Sequence, residues 1–91
     1  MFDWKKHDRS ERLWNVYTKL LKKADVSRVN DNMKNACKYR CAAYSALAHK
    51  LDMEGEFLQR DLARIEAECH LRKYRCYEDW ELLTASVRSL L

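Results

Sequence analysis

Residues 56–91 read EFLQRDLARIEAECHLRKYRCYEDWELLTASVRSLL. Within this stretch Leu58, Leu62, Ile65, Cys69, Cys76, Trp80, Leu83, Val87 and Leu90 stay in one sector when counted at 100° per residue, with Arg72 filling the one gap. That recurrence is the signature of one face of an α-helix. The phase does not drift across Tyr77–Asp79. A helix over about 56–90 is therefore expected, either unbroken or kinked near Tyr77–Trp80 without losing phase. Unbroken, it is about 52 Å long at 1.5 Å per residue.

Working back from it, DMEGE (residues 52–56) supplies a connection and holds the one glycine, Gly55. A second helix is expected over about 30–52. Met33, Cys37, Cys41, Tyr44, Ala48 and Leu51 form one stripe on it, and Ala36, Tyr39, Ala42, Ala43, Ala46 and Leu47 form a second, small-residue face. A helix apolar over most of its circumference is normally the central one, or carries a partner on its spare face. DVSRVNDN (residues 25–32) reads as a linker, with N-caps on offer at Ser27, Asn30 or Asp31. Before it, Leu13, Trp14, Tyr17, Leu20, Leu21 and Ala24 predict a first helix over about 8–24, opened by a capping box of Asp8 and Glu11.

Composition agrees with the periodicity. The chain has 91 residues, a length for one domain, and with no proline and one glycine it lacks the turn residues an all-β fold needs. Hydrophobic residues at 47% against 35% charged place it among globular rather than disordered chains. The expected fold is all-α: a three-helix bundle made of a helical hairpin plus an N-terminal helix. No run approaches the roughly 18 apolar residues of a membrane span, and MFDWKKHDRSER has no apolar signal core. A cytoplasmic, reducing setting without a membrane partner is expected.

The four cysteines allow three readings. Folding the second and third helices into a hairpin about residue 53 makes facing residues sum to about 106, which would set Cys37 opposite Cys69. Zinc would draw on Cys37, Cys41, Cys69 and either Cys76 or His70, but there is no CxxC knuckle and His70 points away from Cys69. Four free thiols packed as small hydrophobes is the preferred reading, because each lies on an apolar stripe. The third reading is a disulfide-stapled hairpin: the Cys37-x3-Cys41 spacing resembles half of the twin-CxxxC hairpin of small mitochondrial intermembrane-space chaperones. That resemblance covers one motif, the other pair being Cys69-x6-Cys76.

Catalytic constellations are not found. One glycine cannot build a phosphate-cradling loop, Cys69 and His70 diverge on a helix, and so do the paired carboxylates Glu66 and Glu68. The chain is expected not to be an enzyme and to need no cofactor.

Charge offers one alternative. Residues 1–50 hold 12 Lys/Arg against 5 Asp/Glu, whereas residues 51–91 hold 6 against 9. The basic half, with Lys19, Lys22, Lys23, Arg28, Lys34 and Lys38 at its centre, could bind nucleic acid, with Trp14 expected in the core rather than stacking on bases. The preferred reading is a small non-catalytic helical binding protein (an adaptor, assembly factor or stoichiometric inhibitor). Its partner would be a larger protein or a second copy, met through Trp80, Leu83, Val87 and Leu90 and through the Tyr39/Ala43 face. Against it stands coverage of the terminal stripe by Phe2, Trp4 and the first helix.

Overall fold

A computed structural model of the chain describes residues 4–90. They form three helices, α1 (Trp4–Val29), α2 (Met33–Met53) and α3 (Phe57–Leu90), with no strand among the described residues. The chain is an all-α three-helix bundle, as its periodicity predicts. α3 runs unbroken across Tyr77–Trp80, as the phase held there predicts.

Both reversals use the same device. At the end of α1 the Asn32 N–H donates to the Ser27 carbonyl at 2.8 Å and the Asp31 N–H to Arg28 at 3.1 Å. At the end of α2 the Glu56 N–H donates to Leu51 at 2.9 Å and the Gly55 N–H to Asp52 at 3.2 Å. These are paired Schellman closures, which require a left-handed residue one position past the helix. Gly55 takes that position with φ 77° and Asp31 with φ 58°. Asn32 then serves both helices, because its side chain accepts the Asn35 N–H at 3.1 Å and caps α2.

These turns correct the expected boundaries. The 25–32 linker contracts to residues 30–32, since Ala24 and Ser27 continue the face of α1 turned to α2 and Asp25 reaches Arg40 at 3.8 Å. The cap of α2 is Asn32, not Ser27, Asn30 or Asp31. Asp8 and Glu11 lie inside α1, where Glu11 meets His7 at 3.1 Å instead of closing a capping box.

α2 is the middle layer and runs antiparallel to both neighbours. Toward α1, Ser10 donates to Glu54 at 2.6 Å, Tyr17 and Tyr44 approach at 6.0 Å, and Lys23 lies over Tyr39 at 5.9 Å. Toward α3, Asp52 meets Arg60 at 2.6 Å, Tyr44 stacks on His70 at 5.6 Å, and Lys34 meets Glu81 at 2.7 Å. No Cα of α1 comes within 8 Å of one in α3. The α2–α3 register therefore lies about two helical turns beyond the expected one, in part because the hairpin reverses at Gly55 rather than at 53. Cys37 does not face Cys69: Cys37 is buried and Cys69 exposed.

The interior is made of small residues. Ala24, Ala36, Ala43, Ala46, Ala48, Ala63 and Ala67 are buried together with Cys37 and Leu51, and among the described residues no large side chain is fully enclosed. Alanine at these positions lets helix axes approach closely, and the contact then has no room for a larger group. Ala63→Leu is expected to lower unfolding free energy by about 1–3 kcal/mol through overpacking, read from the urea midpoint. Asp31→Gly is expected to raise it by about 0.5–1 kcal/mol by removing the left-handed penalty, in the same assay.

Candidate functional site: the outer face of α3

α3 presents two faces of different chemistry. Toward α2 it turns Arg60, Ala63, Ala67, His70, Leu71, Tyr74 and Glu78, all buried or half-buried. The sector carrying Leu58, Leu62, Ile65, Cys69, Cys76, Trp80, Leu83, Val87 and Leu90 lies on nearly the opposite side, about 190° around the helix. Every one of these nine side chains is exposed, Leu58 at 76%, Trp80 at 67% and Val87 at 49%. The larger apolar face of the longest helix thus points away from its own chain.

The arrangement follows from packing. α2 offers alanines on both sides, and helices settle against such a surface with their own small residues inward. Ala63 packs with Ala48 and Leu51 and Ala67 is buried one turn on, leaving the branched and aromatic residues of the stripe outside. Leu58, Leu62, Ile65 and Cys69 belong to this outer face although the periodicity suggests that the second helix covers them. The signal that separates the faces is the Ala63/Ala67/Tyr74 line, which matches the alanines of α2.

Among the described residues, nothing from the N-terminus covers the stripe. α1 begins beside the α2–α3 turn, where Ser10 meets Glu54, whereas the end of α3 runs past the α1–α2 turn, where Lys34 meets Glu81. Trp4 is therefore at the other end of a molecule 67 Å long. Phe2 lies outside the described residues. The Tyr39/Ala43 face is not a free surface either. Ala43 is 0% exposed, and Tyr39 is half-buried under Lys23, because this side of α2 is the one α1 occupies.

The cysteines divide by position. All four are free; Cys37 is buried and Cys41 half-buried between helices, while Cys69 and Cys76 stand exposed on the outer face of α3. Core packing thus accounts for the first pair but not the second, because the stripe carrying the second pair turns outward. Among the described residues no three His, Cys, Asp or Glu side chains come together as a metal-ligand set.

The basic residues are dispersed. Lys19 and Lys22 are exposed on the side of α1 away from α2, and Arg28 is exposed about 180° around the helix from Lys19. Lys38 is exposed on α2. Lys34 is drawn to α3, where the hydrogen bond it donates to Glu81 holds its ammonium pKa above the usual lysine value and Tyr74 lies 5.6 Å below. Trp14 is exposed rather than in the core, with its ring 5.3 Å from Tyr17 and Lys50 Nζ 5.6 Å above it. The α1–α2 turn is short enough for a helix-turn-helix. The two helices instead lie antiparallel side by side, without the steep crossing that motif needs.

One titratable group is built into the α2–α3 contact. The His70 ring lies parallel to Tyr44, its Nε2 is 3.6 Å from Glu66, and its Nδ1 is buried without a hydrogen-bond partner. Burial, then the charges of Lys73 and Arg40, push its pKa below the ordinary histidine value, against the pull of Glu66.

The chain matches no protein-family model, no curated protein and no solved structure, so what it does is argued from its own geometry. No helix among the described residues is long and apolar enough to cross a membrane.

Because folding depresses the His70 pKa, its contribution to stability is full above the unfolded value of about 6.5 and is lost as pH falls through the lower folded value. The thermal midpoint is expected to fall between about pH 7 and pH 5, and the fall to be smaller in His70→Gln. Equal slopes in both proteins would remove His70 as its source.

Proposed function

We propose that this chain is a small non-catalytic helical binding protein that acts through protein–protein contacts on the outer face of α3, in the manner of an adaptor, assembly factor or stoichiometric inhibitor. The single observation that carries this reading is the exposed stripe of Leu58, Leu62, Ile65, Trp80, Leu83, Val87 and Leu90 on one side of one helix. Each such leucine or isoleucine gains about 1.5–3 kcal/mol when taken out of water. Side chains at this spacing dock into a complementary apolar groove or against another helix. Trp80 is the natural anchor, since buried tryptophans dominate binding energy in protein interfaces.

Trp80 and Leu83 can be altered with little disturbance of the fold, because both are exposed and neither belongs to the buried core. Trp80→Ser and Leu83→Asp are each expected to change the unfolding midpoint little while abolishing capture of a protein partner from the native source. A Leu83→Asp protein that unfolded, with capture intact in whatever remained folded, would assign the stripe to the core and end this reading.

A second reading rests on α1. Lys5, Arg12, Lys19 and Lys22 are exposed along its outer side and carry no ion pair among the described residues. Such a line of unneutralised cations suits a polyanion. If it binds RNA or DNA, affinity should fall steeply with salt and be lost in the double variant Lys22→Glu, Lys23→Glu. No binding at low salt ends that alternative.

A further inference from the structure

The outer face of α3 has the spacing of a coiled-coil seam. From Leu58 to Cys76 the steps through Leu62, Ile65, Cys69 and Arg72 alternate four and three, as a and d positions do. After Cys76 one extra step of four precedes Trp80, Leu83, Val87 and Leu90, a local stutter that keeps the seam on the same side. The seam is about 48 Å long at 1.5 Å per residue and is solvent-exposed throughout.

The elongated chain leaves open more surface than a stable dimer needs to cover. The chain exposes 7119 Å². A compact monomer of its 11.0 kDa exposes about 5,600 Å². The surplus, roughly 1,500 Å², is about twice what one partner covers in an interface of standard size.

Charge beside the seam selects the occupant and its direction. Glu66 and Glu68 flank the seam before its midpoint, and Lys73 and Arg75 flank it after. Lay a second α3 alongside in antiparallel register, with Cys69 facing position 72, and Glu68 meets Arg75 of the second copy while Glu66 meets its Lys73. The two-fold axis doubles both pairs. The same register sets Ile65 against Cys76, Leu62 against Trp80 and Leu58 against Leu83. A parallel pairing would place Arg72 against Arg72 inside the seam and Asp61 beside Glu66, like charge against like, and would keep only Glu68 beside Lys73 as an attractive flanking pair.

We propose that the outer seam of α3 is closed by a second copy of this chain in antiparallel register, centred between Cys69 and Arg72. The molecule is then a six-helix layer with the two α3 helices in the middle and the α1 helices at its edges. This inference rests on the reading of α3 as a binding face and names what occupies it.

The test combines mass, charge reversal and cross-linking on the full chain. Light scattering at about 100 µM, where a standard-size interface is well populated, should give twice the 11.0 kDa of the chain. Glu68→Arg or Arg75→Glu alone should weaken the dimer roughly tenfold, since each turns two attractive pairs repulsive, and the two together should restore it. Helical circular dichroism should be unchanged in all three. In Arg72→Cys, mild oxidation should join Cys69 of one copy to position 72 of the other. A Cys69–Cys69 cross-link, or a dimer indifferent to charge reversal, would overturn the antiparallel register. A strictly monomeric chain would overturn the second copy as occupant. Loss of partner capture in Leu83→Asp would still report separately on the binding reading.

Discussion

Alanine packed along both sides of α2 is the constraint on which the rest of this structure depends. Ala36, Ala43 and Ala46 occupy the side near α1, and Ala48 with Leu51 takes in Ala63 from α3. Such contacts bring helices close and hold them by many short-range attractions rather than by a few large buried groups. They also leave no cavity for a leucine or tryptophan. The large apolar residues of α3 are consequently excluded from the interior, and the most hydrophobic face of the molecule becomes its surface.

That exclusion explains why the exposed apolar face is long and set on a single unbroken helix. α3 is anchored along its first two-thirds by Asp52–Arg60, Tyr44–His70 and Lys34–Glu81, and it projects beyond α2 from there. The anchors are polar or aromatic and sit at the edges of the alanine contact. Exposed ion pairs of this kind contribute little net stability, so their main effect is to fix register rather than to hold the helices together. A face presented on a preformed helix loses little conformational entropy on docking, which leaves more of the burial free energy for affinity. Arg72, the one charged residue within the stripe, would make any surface that covers it costly unless its charge is met or reaches solvent.

The two turns complete the logic. Each reverses the chain within three residues, and each depends on one left-handed residue, Asp31 or Gly55. Short reversals force neighbouring helices to lie antiparallel, so α2 becomes the middle layer and α1 and α3 are kept apart. A longer first linker would have freed α1 to pack on the outer side of α3. The tight turn instead leaves it on the far side of α2.

Helix number, helix type, the central place of the second helix and the phase of the third were all legible along the chain, because periodicity is a local property. The stripe from Leu58 to Leu90 was legible as a stripe. Which way it faced was not. Two faces of α3 competed for α2, one larger and more apolar, the other smaller and complementary in shape. Hydrophobicity alone favours the first, while close packing against Ala48 and Leu51 favours the second. The same gap misplaced Cys69, Cys76 and Trp14 in the core and Ala43 on the surface. The sequence by itself determined where apolar groups recur along each helix; only the tertiary structure decided which recurrence is buried, because that depends on whether two surfaces fit, and fit belongs to the pair rather than to either helix.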